Sequence, residues 1–181
     1  VTAHLEGLGF KVYIVPETAS LMLGGGVDFG SASPSQIVGI EVQFMRVQLA
    51  MEDAFCAIAA DSGRPSVILF DRGAMDIAAY LPAESWAALL EEGGWTNPGL
   101  RDQRYEAVIH LVTAAEGAES FYTTQNNAVR KETPAQAREL DGWTKNAWVG
   151  HPHLRVVDNS TDFQGKVRRI IAELDQVVGV P

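Results

Sequence analysis

Apolar residues along this chain alternate between two spacings. In four places they form short consecutive runs: residues 11–15, where Val12, Tyr13, Ile14 and Val15 follow Lys11; residues 67–70 (Val67, Ile68, Leu69, Phe70); residues 105–112; and residues 154–158. Such runs, bounded by turn formers, read as strands, and residues 67–70 suit a strand buried on both faces of a parallel sheet. Elsewhere the apolar positions recur three and four apart, the period of one helix face. The longest such stretch starts at Ser33 or Ser35, carries Pro34 at an early position and runs to about Asp61. Ile37, Ile40, Phe44, Val47, Met51, Phe55 and Ile58 form its expected core stripe. Glu41, Gln48 and Glu52 share a different face, which is either a solvated side or a pocket wall that hydrogen-bonds an acceptor.

Further helices are expected over residues 1–8, 76–80, 84–92, 134–148 and 163–178. Thr133 is the expected N-cap of the fourth, with Pro134 at its first position and Gln136 completing a capping box. Asn159, Ser160 and Thr161 are expected to cap the last. Residues 21–33 include Gly24, Gly25, Gly26 and Gly30 but lack a Gly-Lys-Ser/Thr ending, and no strand leads into them. They read as a mobile loop over an acceptor pocket rather than as a phosphate loop. Residues 93–99 read as a loop and residues 113–131 as irregular. Strands alternating with helices predict an α/β fold, a parallel sheet with helices on both faces.

Composition narrows the picture. A chain of 181 residues fits one domain, and 46% hydrophobic with 20% charged residues reads as a folded globular protein. The net charge of -9 disfavours general nucleic-acid binding and unaided docking on anionic membrane, but leaves room for a local phosphate pocket. The single cysteine, Cys56, excludes an internal disulfide framework and reads as a buried small hydrophobe in a reducing compartment. With no signal peptide and no transmembrane run, the expected location is cytoplasmic.

The candidate chemistry sits at strand ends. In open α/β sheets, ligands bind beyond the carboxyl ends of the strands. Asp71, Arg72 and Gly73 follow the strand at 67–70, and Glu17 follows the strand at 11–15. Asp71 either organises a magnesium ion or caps the next helix; Arg72 neutralises a phosphate or ends in a solvated turn. Glu17 reads as an acceptor-orienting carboxylate or as a turn cap. His110, inside the third strand, reads as a satisfied core histidine. His151 and His153 lack the companion ligands of a metal site.

Several phrases together resemble one family: Val15-Pro16-Glu17-Thr18-Ala19; Asp71-Arg72-Gly73 with Asp76 and Tyr80; Arg104 through Leu111; Thr113 through Glu119; Asn126-Asn127 to Arg130 with Glu132; and His151-Pro152-His153 with Val157-Asp158-Asn159. They resemble the kinase-like P-loop NTPase domain grouped with bacterial ribosylnicotinamide kinases, and especially the TRPL-translocation-defect type of ATP/GTP-binding protein. The resemblance covers essentially the whole chain. It implies a three-layer α/β/α parallel sheet in which a first strand and Walker A loop precede residues 1–8 and lie between the strands ending at Asp71 and Val112. No such loop is encoded within residues 1–181, so the chain is expected to be the truncated form of a longer protein, with a CYTH-like domain, able to bind phosphorylated lipids, following residue 181.

The resemblance also implies roles. Asp71 would hold the magnesium shell of ATP or GTP, Arg72 would contact the acceptor's phosphate or hydroxyl side, and Glu17 would orient or deprotonate an acceptor hydroxyl. Arg130 would close over the phosphates from a lid shaped by Asn126 and Asn127. Asp158, Asn159 and Phe163 would pack the base. Three functions are compatible with this: a nucleotide-dependent binding module or switch coupled to a protein or phosphorylated lipid, a small-molecule kinase, and a nucleotide-free structural derivative.

Overall fold

A computed structural model describes residues 1–119 and 133–179. They fall into two compact units that meet in sequence at Asn97 and Pro98.

The first unit begins with helix α1 (Thr2–Gly7) and strand β1 (Lys11–Val15), followed by helices α2 (Thr18–Gly24) and α3 (Pro34–Asp61). Strand β2 (Ser66–Phe70), a 3₁₀ helix (Ala74–Tyr80) and α4 (Ala83–Gly93) complete it. β1 and β2 pair in parallel from Lys11↔Ser66 to Val15↔Phe70, so the chain returns to the sheet through α2 and α3. α3 starts where expected: the Ser33 hydroxyl accepts from the Gln36 N–H, and the Gln36 side chain accepts from the Ser33 N–H. It ends at a turn in which the Ser62 hydroxyl donates to the Ala59 carbonyl and Gly63 takes φ 64°, a value that favours glycine. The core gathers Leu5, Val15, Val42, Met45 and Leu89, all nearly inaccessible to solvent.

The second unit holds β3 (Val108–Leu111), α6 (Pro134–Ala147), β4 (Leu154–Val157) and α7 (Phe163–Val178); α5 (Asn97–Arg101) lies at the sequence boundary. β3 and β4 pair in parallel from Val108↔Leu154 to Leu111↔Val157. The expected capping box of α6 is present, with Thr133 and Gln136 bonded reciprocally. His151 is buried in the turn before β4, its Nε2 bonded to the Tyr105 carbonyl at 2.9 Å.

The architecture is α/β with short parallel strands, and several expectations change. Residues 21–24 of the expected loop at 21–33 belong to helix α2, because the glycines cluster at its C-terminal end, where a helix tolerates them. Residues 97–101 form α5. The N-cap of α7 is Asp162, whose carboxylate accepts from the Gly165 N–H at 2.7 Å. Residues of β2 are half-buried rather than enclosed on both faces. Cys56 is exposed on α3, and so is Ile58 of the expected core stripe. Phe44 of that stripe is buried, and a second buried line of α3 runs through Glu41, Met45, Gln48, Glu52 and Ala59. The solvated reading of the Glu41, Gln48 and Glu52 face is therefore overturned: all three are buried, Gln48 bonds Thr18 of another element, and Glu52 accepts from Gln48 within α3. Among the described residues, no helix is long and apolar enough to cross a membrane.

Candidate functional site

The parallel register of β1 and β2 brings their carboxyl ends side by side, and the Asp71 N–H donates to the Val15 carbonyl at 3.0 Å. Glu17 and Arg72 thereby emerge from neighbouring strands, with Arg72 Nε 3.7 Å from Glu17 Oε1. Burial opposes the charge on Arg72, but Asp76, Tyr80, Glu17 and Asp71 around it outweigh that cost and hold its guanidinium more firmly protonated than usual. The pair is partly open to solvent, so its direct contribution to stability is small. Its value is positional.

Arg72 has φ 74°, the one described non-glycine residue with positive φ. A left-handed backbone costs a side-chain-bearing residue about 1–2 kcal/mol. Such strain persists only where surrounding contacts impose it, and it collects at functional sites. Here the next residues supply the restraint: the buried carboxylate of Asp76 accepts from the Gly73 N–H at 3.0 Å, and the Asp76 N–H donates to the Gly73 carbonyl. Asp76 thus anchors the entry to the 3₁₀ helix, leaving Asp71 as an exposed carboxylate at the strand end rather than as a cap. Glu17 likewise makes no capping bond to the start of α2; its carboxylate accepts from the Ser20 hydroxyl and faces Arg72.

Behind the pair lies a buried polar group that spans three elements. The Thr18 hydroxyl, in the first turn of α2, donates to Gln48 Oε1. Gln48 Nε2 donates to Glu52 Oε1 at 2.8 Å and, at a long 3.5 Å, to the Arg72 carbonyl. Thr18, Gln48 and Glu52 are each at most 4% exposed. Two turns toward the start of α3, Glu41 is also buried and makes no hydrogen bond or ion pair among the described residues, and burial pushes its carboxyl up to about 7.

At the ends of β3 and β4 in the second unit, polar side chains bind mainly backbone. The Asn159 amide donates to the carbonyls of Thr113 and Glu116 at 2.8 and 2.7 Å, and its Oδ1 accepts from Lys166 Nζ at 2.7 Å. Lys166 also donates to the Val112 carbonyl, and burial lowers the pKa of its ammonium. Asp158 is held well below the usual carboxylate range by the Ser160 hydroxyl and by Arg169. His110 is satisfied as expected, bonded through Nε2 to Asp141, which also accepts from the Thr113 N–H. Phe163, at the first turn of α7, is 76% exposed.

The structure therefore brings Glu17 and Arg72 together beside Asp71, and it places Asp158, Asn159 and Phe163 along one strand-to-helix turn of the second unit. Asn126, Asn127 and Arg130 lie outside the described residues. Sequence reading assigned no role to Thr18, Asp76 or Lys166. The spacing of Gly73 and Asp76, a helix start with an acid at its third position, was the one signal that could have found Asp76. Among the described residues, no group of three or more His, Cys, Asp or Glu side chains could hold a metal ion by itself.

The first unit thus sets an acid, Asp71, and an arginine, Arg72, at the end of a parallel strand of an α/β fold. Consistent with this, the model of a family described as an AAA domain matches residues 1–166. The chain belongs to that family and is a P-loop NTPase-like, nucleotide-binding domain. No curated protein and no solved structure matches it.

Proposed function

We propose that the chain is a nucleotide-dependent binding module in which a phosphate of bound ATP or GTP competes with Glu17 for Arg72. The observation that carries this reading is the Glu17–Arg72 pair: a firmly charged guanidinium, on a strained backbone, is held by a carboxylate from the neighbouring strand. A phosphate anion offers the same guanidinium stronger, bidentate acceptors. Its arrival would release Glu17 and alter the start of α2, which is the signal a partner, protein or phosphorylated lipid, would read.

Asp71 fits the magnesium of such a nucleotide. Mg²⁺ is typically held by one or two carboxylates together with phosphate oxygens and water, so an exposed strand-end acid suffices where the described residues form no all-protein cage. When bound, the ion would neutralise phosphate charge. In the second unit, taken by itself, Phe163 presents an exposed aromatic ring at the first turn of α7, and Asn159 and Asp158 shape the turn before it; base packing by these three is proposed from the family resemblance. Arg130, with Asn126 and Asn127, is proposed as the lid, and the frame as the three-layer sheet of P-loop kinase-like folds.

The uncapped Glu17 carboxylate also favours a second reading, a small-molecule kinase in which Glu17 orients or deprotonates an acceptor hydroxyl. Glu17→Gln in the full-length protein separates the two. For the binding module, loss of the competing charge is expected to leave nucleotide affinity unchanged or tighter by calorimetry, with no turnover in either protein. For the kinase, wild type transfers phosphate to an acceptor and Glu17→Gln loses about 10²–10⁴-fold of that rate. Nucleotide binding weakened by Glu17→Gln would contradict the proposed competition.

A further inference from the structure

We infer that Gln48 is a positioning residue that sets the phosphate-contacting conformation of Arg72. Its functional consequence rests on the proposed role of Arg72, whereas the structural coupling does not. Glu17 and Arg72 come from different strands, and a contact between two exposed strand ends does not fix itself. Gln48 joins the two ends from behind: its carbonyl oxygen accepts from Thr18, the residue next to Glu17, and its amide reaches the carbonyl of Arg72 itself.

Oε1 of Gln48 faces the Thr18 hydroxyl, which donates to it, and Nε2 faces a Glu52 carboxyl oxygen, which accepts from it, so the amide as oriented is partnered on both sides. A side chain that is 96% buried, with its amide dipole locked by a carboxylate, directs a fixed donor at the one strained backbone carbonyl of the site. Left-handed φ is adopted by an arginine only when something outside the residue favours it. Asp76 restrains the Gly73 side of the peptide, and Gln48 is the group that addresses the Arg72 carbonyl.

The test is a stability cycle that uses no nucleotide. Glycine adopts φ 74° without strain, so in an Arg72→Gly background nothing remains for Gln48 to impose. Gln48→Met, close in volume and without the amide, is expected to lower the urea midpoint in both backgrounds, because Thr18 and Glu52 lose a partner in each, and to lower it measurably less in the Arg72→Gly background. Thr18→Val, which removes only the hydroxyl donor, is expected to show the same pattern more weakly and serves if Gln48→Met does not fold. Equal losses in the two backgrounds would overturn the inference and make Gln48 an ordinary buried amide. Where wild type binds MgATP or MgGTP, Gln48→Met is also expected to bind about tenfold more weakly; unchanged affinity would overturn the positioning role. If wild type binds neither nucleotide, the proposed function fails while the cycle still decides the coupling.

Discussion

Arg72→Gln is expected to weaken binding of MgATP or MgGTP to the full-length protein by roughly 10- to 150-fold, the equivalent of about 1.5–3 kcal/mol for a hydrogen bond to a charged group. The argument runs from the backbone outward. The parallel register sets Arg72 beside Glu17, the acids around it keep the guanidinium charged, and the left-handed turn directs it away from the path an ordinary strand continuation would take. Glutamine preserves the backbone problem and much of the side-chain length but removes the charge and the fork of donors. Because the pair is partly open to solvent, the unfolding midpoint is expected to move little. Large loss of affinity with an unchanged urea midpoint separates a ligand role from a structural one; unchanged affinity would place the phosphate elsewhere.

A second large effect is expected at Glu41. Its folded-state carboxyl holds its proton up to about pH 7, whereas the unfolded chain releases it in the ordinary carboxylate range near 4.5. Between these values the folded state binds more protons, so stability falls as pH rises through the window, and the loss is complete above about pH 7. The sign is opposite to that of a salt-bridged carboxylate. Glu41→Gln removes the ionising group while keeping its shape, and is expected to be more stable than wild type by up to about 3 kcal/mol at pH 8, with the difference vanishing near pH 4. Urea unfolding of both proteins at pH 4, 6 and 8 checks this. Parallel curves at all three values would mean that Glu41 is paired or solvated when charged.

The residues that could be read from sequence are those whose signals are local. β1 follows from a five-residue run and its Pro16 stop, the start of α3 from a serine with Pro34, that of α6 from Thr133 with Pro134 and Gln136, and the places of Asp71, Arg72 and Glu17 from the strand ends they follow. What could not be read depends on contacts distant in sequence. The Glu41, Gln48 and Glu52 face resembles a solvated helix side until Thr18, thirty positions away, and the Arg72 carbonyl are seen against Gln48. Periodicity identifies a helix, but here the stripe it marks as core includes the exposed Ile58, and the second buried line contains two acids. The backbone of Arg72 was invisible for another reason: a positive φ is usually announced by glycine or asparagine, and here an arginine occupies it.

The most direct test of a magnesium-nucleotide site organised around Asp71 and Arg72 is a thermal unfolding series on the full-length protein and its Asp71→Ala variant, with ATP or GTP, each with Mg²⁺ or with EDTA. At about 100 times the dissociation constant, binding stabilises by about 2.7 kcal/mol, which for a domain of this size is a shift of roughly 5–10 °C. A shift of that order is expected in wild type for at least one nucleotide, dependent on Mg²⁺ and lost in Asp71→Ala. Identical melting curves with and without nucleotide, or a shift indifferent to both Mg²⁺ and Asp71, would contradict it.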